Sequence, residues 1–175
     1  MKKKLILLVF GVIMFSVAGF AQDREDHFEI GGSFFVSNSP DPLFSDYFGG
    51  GLNFGGVRYF WDKIGIGCYV NISAAFPYDE VLILDVDILA GPVFRLIQNY
   101  RFNIPIVAGV YLERATMYGT SIATRDLSIG AGLGVSIEYY LAEKFYLYGR
   151  VQGCYGIYME ELRVTPSIGV GFGGV

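Results

Sequence analysis

The sequence is poor in the side chains that most enzyme and metal chemistry needs. It holds one histidine, His27, and two cysteines, Cys68 and Cys154. General-base and nucleophilic catalysis ordinarily sets a histidine or a tuned carboxylate beside a nucleophile. A lone histidine has no such partner, and His27 reads as a solvated or interfacial residue at the start of the first strand. Cys/His metal spacings are excluded by the same scarcity. The glycine clusters Gly49-Gly50-Gly51 and Gly171-Phe172-Gly173-Gly174 lack the strand–helix setting of a phosphate loop. Ser136 and Glu138 share one strand face, a common and weak pairing. The reading is a chain without catalytic residues, cofactor or metal.

Charge is scarce as well. Charged residues make up 17% of the chain, against about 25% in soluble domains. The net charge is −4, the wrong sign for a nucleic-acid binder. Beyond residue 21 no apolar run is long enough for a spanning helix. The best candidate, Val81 to Ile97, is broken by Asp85, Asp87, Pro92 and Arg95.

The first 21 residues are of a different kind. Lys2, Lys3 and Lys4 precede an apolar run from Leu5 to Val17, and Gly19 and Ala21 stand three and one before Gln22. That layout predicts a secretory signal peptide over residues 1–21, with one domain over 22–175. The run is short for a membrane anchor.

What is abundant is grease and glycine. Apolar residues reach 53%, aromatics 17%, and there are 24 glycines. An exported chain this apolar and without a spanning helix has one other way to live in lipid, which is to close a sheet so that no backbone group is left unpaired. The alternation supports it. A strand points successive side chains to opposite faces, and every second residue is apolar in eight segments: Phe28–Ser37, Leu52–Tyr59, Ile64–Ser73, Leu82–Leu96, Phe102–Glu113, Leu127–Tyr140, Phe145–Tyr155 and Leu162–Phe172. The fold class predicted is all-β, an eight-stranded antiparallel up-and-down transmembrane β-barrel.

Details follow from the same pattern. In the second segment the phase slips at Gly55-Gly56, which predicts a β-bulge and puts Arg58 on the polar face. Pro92, Pro105 and Pro166 each delete a ladder hydrogen bond, so bulges or strand ends are expected near them. Tight polar turns at Phe60–Lys63, Gln98–Arg101 and Leu141–Lys144 alternate with longer loops at Asn38–Tyr47, Ala74–Glu80, Arg114–Arg125 and Gly156–Glu161. Aromatics gather in two bands. Tyr59, Phe60, Trp61, Tyr100, Phe102, Tyr139, Tyr140 and Phe145 lie near the turns; Phe34, Phe44, Phe48, Phe76, Tyr78, Tyr118, Tyr155 and Tyr158 lie near the loops. Cys68 and Cys154 fall on opposite walls and are expected as free thiols.

The polar face is mostly Gly, Ser, Asn, Thr and Tyr, whereas a water-facing surface is normally about 25–35% charged. The apolar face is therefore expected to meet lipid, with a soluble lipocalin-like ligand binder as the alternative. The enclosed face carries Glu29, Asp85, Asp87, Glu113 and Glu138 with Arg58, Arg95, Arg150 and Arg163. On a narrow shared face these should pair, giving a charge network that fills the lumen; an ion path is the other reading. Inward glycines such as Gly65, Gly67, Gly130, Gly132, Gly134, Gly169 and Gly171 leave either cavities or room for tyrosine rings.

The hairpin Tyr59-Phe60-Trp61-Asp62-Lys63-Ile64-Gly65-Ile66-Gly67 and the stretch Asp85-Val86-Asp87-Ile88-Leu89-Ala90-Gly91-Pro92 complete a resemblance over Phe28 to Phe172. The chain resembles the small outer-membrane β-barrel family, the membrane domain of OmpA and relatives such as OmpX. The resemblance implies an outer-membrane location and contact with outer-membrane lipid. It also implies periplasmic chaperones and the barrel-assembly machinery as partners during biogenesis. An envelope-structural or surface-interaction role is implied, or a narrow OmpW-like channel for small or hydrophobic solutes. The histidine that lipid A-modifying members carry near the outer rim has no counterpart here. The peptidoglycan-binding domain of full OmpA-like proteins is expected to be absent, and the aromatic that members carry at their end corresponds to Phe172, three residues before Val175.

Overall fold

The computed structural model describes residues 25–38, 47–78, 81–119, 122–124, 127–157 and 160–173. The expected signal peptide, Phe44 and Tyr158 lie outside the described residues, as do the side chains of Tyr78 and Arg125.

The strands are β1 (Asp26–Asn38), β2 (Tyr47–Trp61), β3 (Ile64–Tyr78), β4 (Val81–Gln98), β5 (Phe102–Tyr118), β6 (Ile122–Thr124), β7 (Ser128–Ala142), β8 (Phe145–Gly156) and β9 (Glu161–Gly173). Apart from β6, each pairs antiparallel with its neighbours in the chain. β4 pairs with β5, β5 with β7, and β1 with β9, so the sheet closes on itself as an eight-stranded up-and-down barrel. β6 is a short ribbon folded back on the loop end of β5. Closure leaves no sheet edge along the wall.

The alternation that predicted the strands also sets their two faces. Ile66, Ile72, Leu133, Ile137, Val151 and Ile168 point outward and are exposed, while Tyr69, Asn71, Gly134, Ser136, Arg150 and Ser167 point inward. The greasy face is outside, opposite to a lipocalin-like barrel. At the turn end the outward aromatics include Phe28, Phe60, Trp61, Phe94, Tyr100, Phe102, Tyr139 and Phe172; at the loop end they include Phe34, Phe48, Phe76, Tyr118 and Tyr155. The Asn99 turn is closed by its own side chain, whose Oδ1 accepts from the amides of Arg101 (2.9 Å) and Phe102 (2.8 Å), an Asx turn.

Several expectations are corrected. β2 has no slip at Gly55-Gly56: its pairing with β1 runs in one register from Asp26↔Arg58 to Ser37↔Tyr47. Val57 and Tyr59 therefore point into the lumen and Arg58 points out. The two glycines carry no side chain to mark parity, and the apolar Val57 and Tyr59 have apolar company inside, from Leu89, Val93 and Val107. The irregularity in β2 lies later, between Tyr59 and Trp61. Tyr140, like Tyr59, leaves the outer aromatic band and turns inward, its hydroxyl reaching Glu138. The prolines interrupt pairing less than expected. Register is unchanged across Pro92 (Ala90↔Val110, Val93↔Val107) and across Pro166 (Ser33↔Ser167, Val36↔Val164). Beside Pro105 there is a bulge, between Arg95 and Ile97 of β4.

The strands also run further toward the loops than the alternation indicated. β4 has 18 residues and β5 has 17, whereas about 9–11 cross a bilayer. The excess projects past the aromatic band as β-ribbon. Cys68 lies on the outward face of β3 and Cys154 inside on β8, four strands away round the wall, so both are free thiols.

Candidate functional site

The lumen is built in three tiers, each centred on one arginine. Each guanidinium has a carboxylate beside it and an aromatic ring beneath it.

The tier at the turn end is set by β4 and by the residue just before β1. Arg95 donates from Nη1 and Nη2 to the two carboxylate oxygens of Glu25 at 2.9 and 2.5 Å and to the Asp62 carbonyl at 3.0 Å, with its guanidinium 3.5 Å above the Tyr59 ring. Glu25 also faces His27 Nε2 at 3.1 Å, and its carbonyl accepts from the Tyr59 amide at 3.0 Å. Burial pushes the Glu25 carboxyl up, but the hydrogen bonds from His27 and Arg95 outweigh it and hold the group at about 2. His27 is fully buried (0% exposed), which corrects the solvated placement expected of it. β1 starts one residue before it, and His27 shares the inward parity of Glu29. Its Nδ1 faces Glu138 Oε2 at 3.4 Å; Asn103 and Tyr140 donate to the same oxygen at 2.8 and 3.2 Å.

The middle tier joins β8, β1 and β7. Arg150 pairs with Glu29, donates from Nε to Ser136 Oγ at 2.7 Å and stacks 3.6 Å over the Tyr69 ring. Ser136 is thus an acceptor for Arg150, while Glu138 is engaged by Asn103, Tyr140 and His27. Beside this tier runs a chain of neutral donors and acceptors. Tyr148 donates to Asn53 (2.8 Å), Asn53 to Asn71 (2.6 Å), and Asn71 to Asp87 (2.7 Å) and Gln152 (3.2 Å).

The tier at the loop end is held by β9. Arg163 lies 2.8 Å from Asp85, 3.1 Å from Asp87 and 3.4 Å from Glu113, donates to Ser73 Oγ at 3.1 Å, and sits 3.9 Å over the Phe35 ring. Tyr111 donates to Glu113 at 2.8 Å. Further toward the loops, Ser37 donates to Glu161.

Of the nine charged residues expected on one enclosed face, Glu29, Asp85, Asp87, Arg95, Glu113, Glu138, Arg150 and Arg163 are all buried inside the barrel. Arg58 is not among them. It lies on the outer wall and pairs with Asp26 at 2.9 Å. Sequence reasoning missed Glu25, His27 and Glu161, each of which continues the inward parity of its strand beyond the expected strand end. It also missed the aromatic floor under each arginine, although Phe35 and Tyr69 were already on the enclosed face.

Aromatic and apolar side chains pack between the tiers. Inward glycines receive tyrosine rings: a Cβ at Gly171 would meet Tyr146, and one at Gly55 would meet Tyr69. Gly132 and Gly134 make room for Leu89. An apolar cluster of Val57, Tyr59, Tyr69, Leu89, Val93, Val107, Tyr111 and Cys154 packs the interior, and a second, with Phe35, Tyr47 and Ile83, caps it toward the loops. Among the described residues no group of three His, Cys, Asp or Glu side chains is placed to hold a metal ion.

A closed barrel with its grease outside and its charge inside has well-known counterparts. The attachment invasion locus protein Ail of Yersinia pestis matches over 86% of this chain and 99% of its own, at 14% identity and a TM-score of 0.64. The neisserial surface protein A covers 84% and 96%, at 13% identity and a TM-score of 0.69. The outer-membrane protein OprG of Pseudomonas aeruginosa covers 86% and 96%, at 14% identity and a TM-score of 0.56. The chain has the fold of the small outer-membrane β-barrels. No family model and no curated protein matches the sequence.

Proposed function

We propose that this chain is a non-enzymatic integral protein of the outer membrane, exported through a signal peptide cleaved before Gln22, with a plugged lumen and an envelope-structural or surface-interaction role. One observation carries the reading. Arg95, Arg150 and Arg163 cross the lumen at successive heights, each locked between at least one carboxylate and an aromatic ring. An eight-stranded barrel is just wide enough for side chains to fill, and here bulky ones fill it. Outer-membrane lipid is the partner of the wall; periplasmic chaperones and the assembly machinery are partners during biogenesis.

A surface role rests on the loop end. Ail has been crystallised with a heparin analogue, sucrose octasulfate. The segments between strands carry Asp41, Asp46, Asp79, Glu80, Asp126 and Glu160 against Arg125, and Arg114 is exposed toward the loop end of β5. That balance repels a sulfated polyanion and favours a neutral or cationic partner.

Conductance tests the plug. Purified protein in planar lipid bilayers should give no sustained openings; steady single-channel currents would replace the plugged reading with a channel. Membrane fractionation with heat-modifiable gel migration tests the location, and a heat-insensitive band in the soluble fraction would overturn it.

A further inference from the structure

Asp26 on β1 and Arg58 on β2 stand directly opposite each other on the outer wall. Arg58 donates from Nε to Asp26 Oδ1 at 2.9 Å and from Nη2 to Asp26 Oδ2 at 3.1 Å, a two-pronged pair. The Arg58 side chain is 26% exposed and that of Asp26 12%. The wall around them is apolar. Outward Phe28 follows Asp26 by two residues, outward Phe60 follows Arg58 by two, and exposed Ile66 of β3 lies opposite Arg58. Charge on a lipid-facing wall is costly at mid-depth and tolerated near the interface. Phe28 and Phe60 belong to the turn-end aromatic band, so the pair stands at headgroup level.

The pair carries no net charge. It presents an acceptor and a cationic donor side by side, and neither side chain is fully covered. A carboxylate has about four lone-pair sites and a guanidinium five N–H donors, so the two mutual bonds do not use up either group. A purely anionic headgroup would meet Arg58 but also the Asp26 carboxylate. A headgroup that joins a phosphate to an ammonium matches both ends. A primary ammonium donates hydrogen bonds to a carboxylate, whereas a quaternary one has no N–H to give. Gly56 adds a shape to this chemistry. It lies outward on β2, two residues toward mid-wall from Arg58, between Phe28 of β1 and Cys68 of β3. Without a side chain it leaves a strip of bare wall beside the pair, along which the first methylenes of an acyl chain fit.

We infer that Asp26 and Arg58 form a docking point for one zwitterionic phospholipid of the turn-end leaflet, with its phosphate on Arg58 and its primary ammonium on Asp26. This selectivity rests on the wall facing lipid, as proposed above, and adds to it a headgroup preference at one place. It also gives a role to a charge pair set among phenylalanines and isoleucines.

Vesicles of phosphatidylethanolamine, phosphatidylcholine and phosphatidylglycerol in equal parts supply the three chemistries: phosphate with a primary ammonium, phosphate with a quaternary one, and phosphate alone. Protein refolded into these vesicles is floated with them and extracted in mild detergent, and its retained lipid is read by native mass spectrometry. Phosphatidylethanolamine should be retained about two- to fivefold above its share, the worth of one partly exposed charge-assisted contact. Asp26→Asn keeps Arg58, and should lose that enrichment and retain phosphatidylglycerol instead. Arg58→Gln should retain all three in bulk proportion. Wild-type retention in bulk proportion, or a wild-type preference for phosphatidylglycerol, would overturn the docking point, and so would an ethanolamine enrichment that survives both substitutions. The ethanolamine-to-choline ratio of the wild type decides even if a variant fails to refold, because the two headgroups differ in the N–H donors that Asp26 accepts. Protein that floats without a preference keeps its place in lipid and loses the docking point; protein that does not float loses both.

Discussion

Glu29 on β1 and Arg150 on β8 form a fully buried ion pair in the middle of the barrel although 121 residues separate them in sequence. The contact exists only because β9 lies between their strands and closes the wall. Removing one partner leaves the other charge stranded. Arg150→Met should destabilise the folded barrel by about 3–5 kcal/mol, and Glu29→Gln combined with it should recover a large part of that loss. Equilibrium unfolding in denaturant, with the barrel in lipid vesicles, measures the double-mutant cycle. Additive losses would mean that the two groups do not act as a pair.

The glycines divide by face. At Gly171 an added methyl meets the Tyr146 ring, and at Gly149 it meets nothing within 4 Å. Gly171→Ala is expected to cost about 1–3 kcal/mol through overpacking. Gly149→Ala, on the outer wall, should be neutral or stabilising by about 0.5–1 kcal/mol, because glycine weakens a strand interior. The same unfolding assay decides, and equal effects at both sites would contradict a filled lumen.

Leu133 stands outward at mid-height on β7, next to inward Gly132 and Gly134. Leu133→Arg should cost about 2–4 kcal/mol in vesicles if the outer wall meets acyl chains at that depth. An unchanged midpoint would place this wall in water.

Acid should weaken the hold of Arg95 and His27 on Glu25. Glu25 is held at about 2, below its ordinary 4.5. A carboxylate depressed by folding adds stability above its unfolded value, and that stability is lost as pH falls through the folded value. The stability advantage of wild type over Glu25→Gln should therefore be full above pH 4.5, shrink between 4.5 and about 2, and vanish below. Unfolding midpoints of the two proteins across that range check it; an advantage that persists at the lowest pH would exclude Glu25 as its source.

Most of the barrel was legible because its two faces are so unlike. An apolar outer wall and a crowded polar lumen impose a period of two, and β7, from Ile129 to Tyr139, shows it without a break. The reading failed where that contrast fades. Val57 and Tyr59 are apolar yet face inward, since a small barrel needs internal packing as well as internal charge, and Gly55-Gly56 hid the parity that would have revealed them. His27 and Glu25 were passed over because a strand end has no alternation left to read. The charged set itself followed from parity, and Arg58 went astray with its strand. The tiering of the arginines did not follow, because which residues share a height depends on strand stagger, and stagger is fixed by pairing between strands, not by any one segment.

The seam between β1 and β9 runs from His27↔Gly173 to Asn38↔Leu162, so the opening strand waits for the closing one. The hairpin with β2 covers one edge of β1, and its other edge stays open until the final dozen residues arrive. A chain cut before Leu162 would be not a smaller barrel but an open ribbon, with the edges of β1 and β8 left unpaired and adhesive.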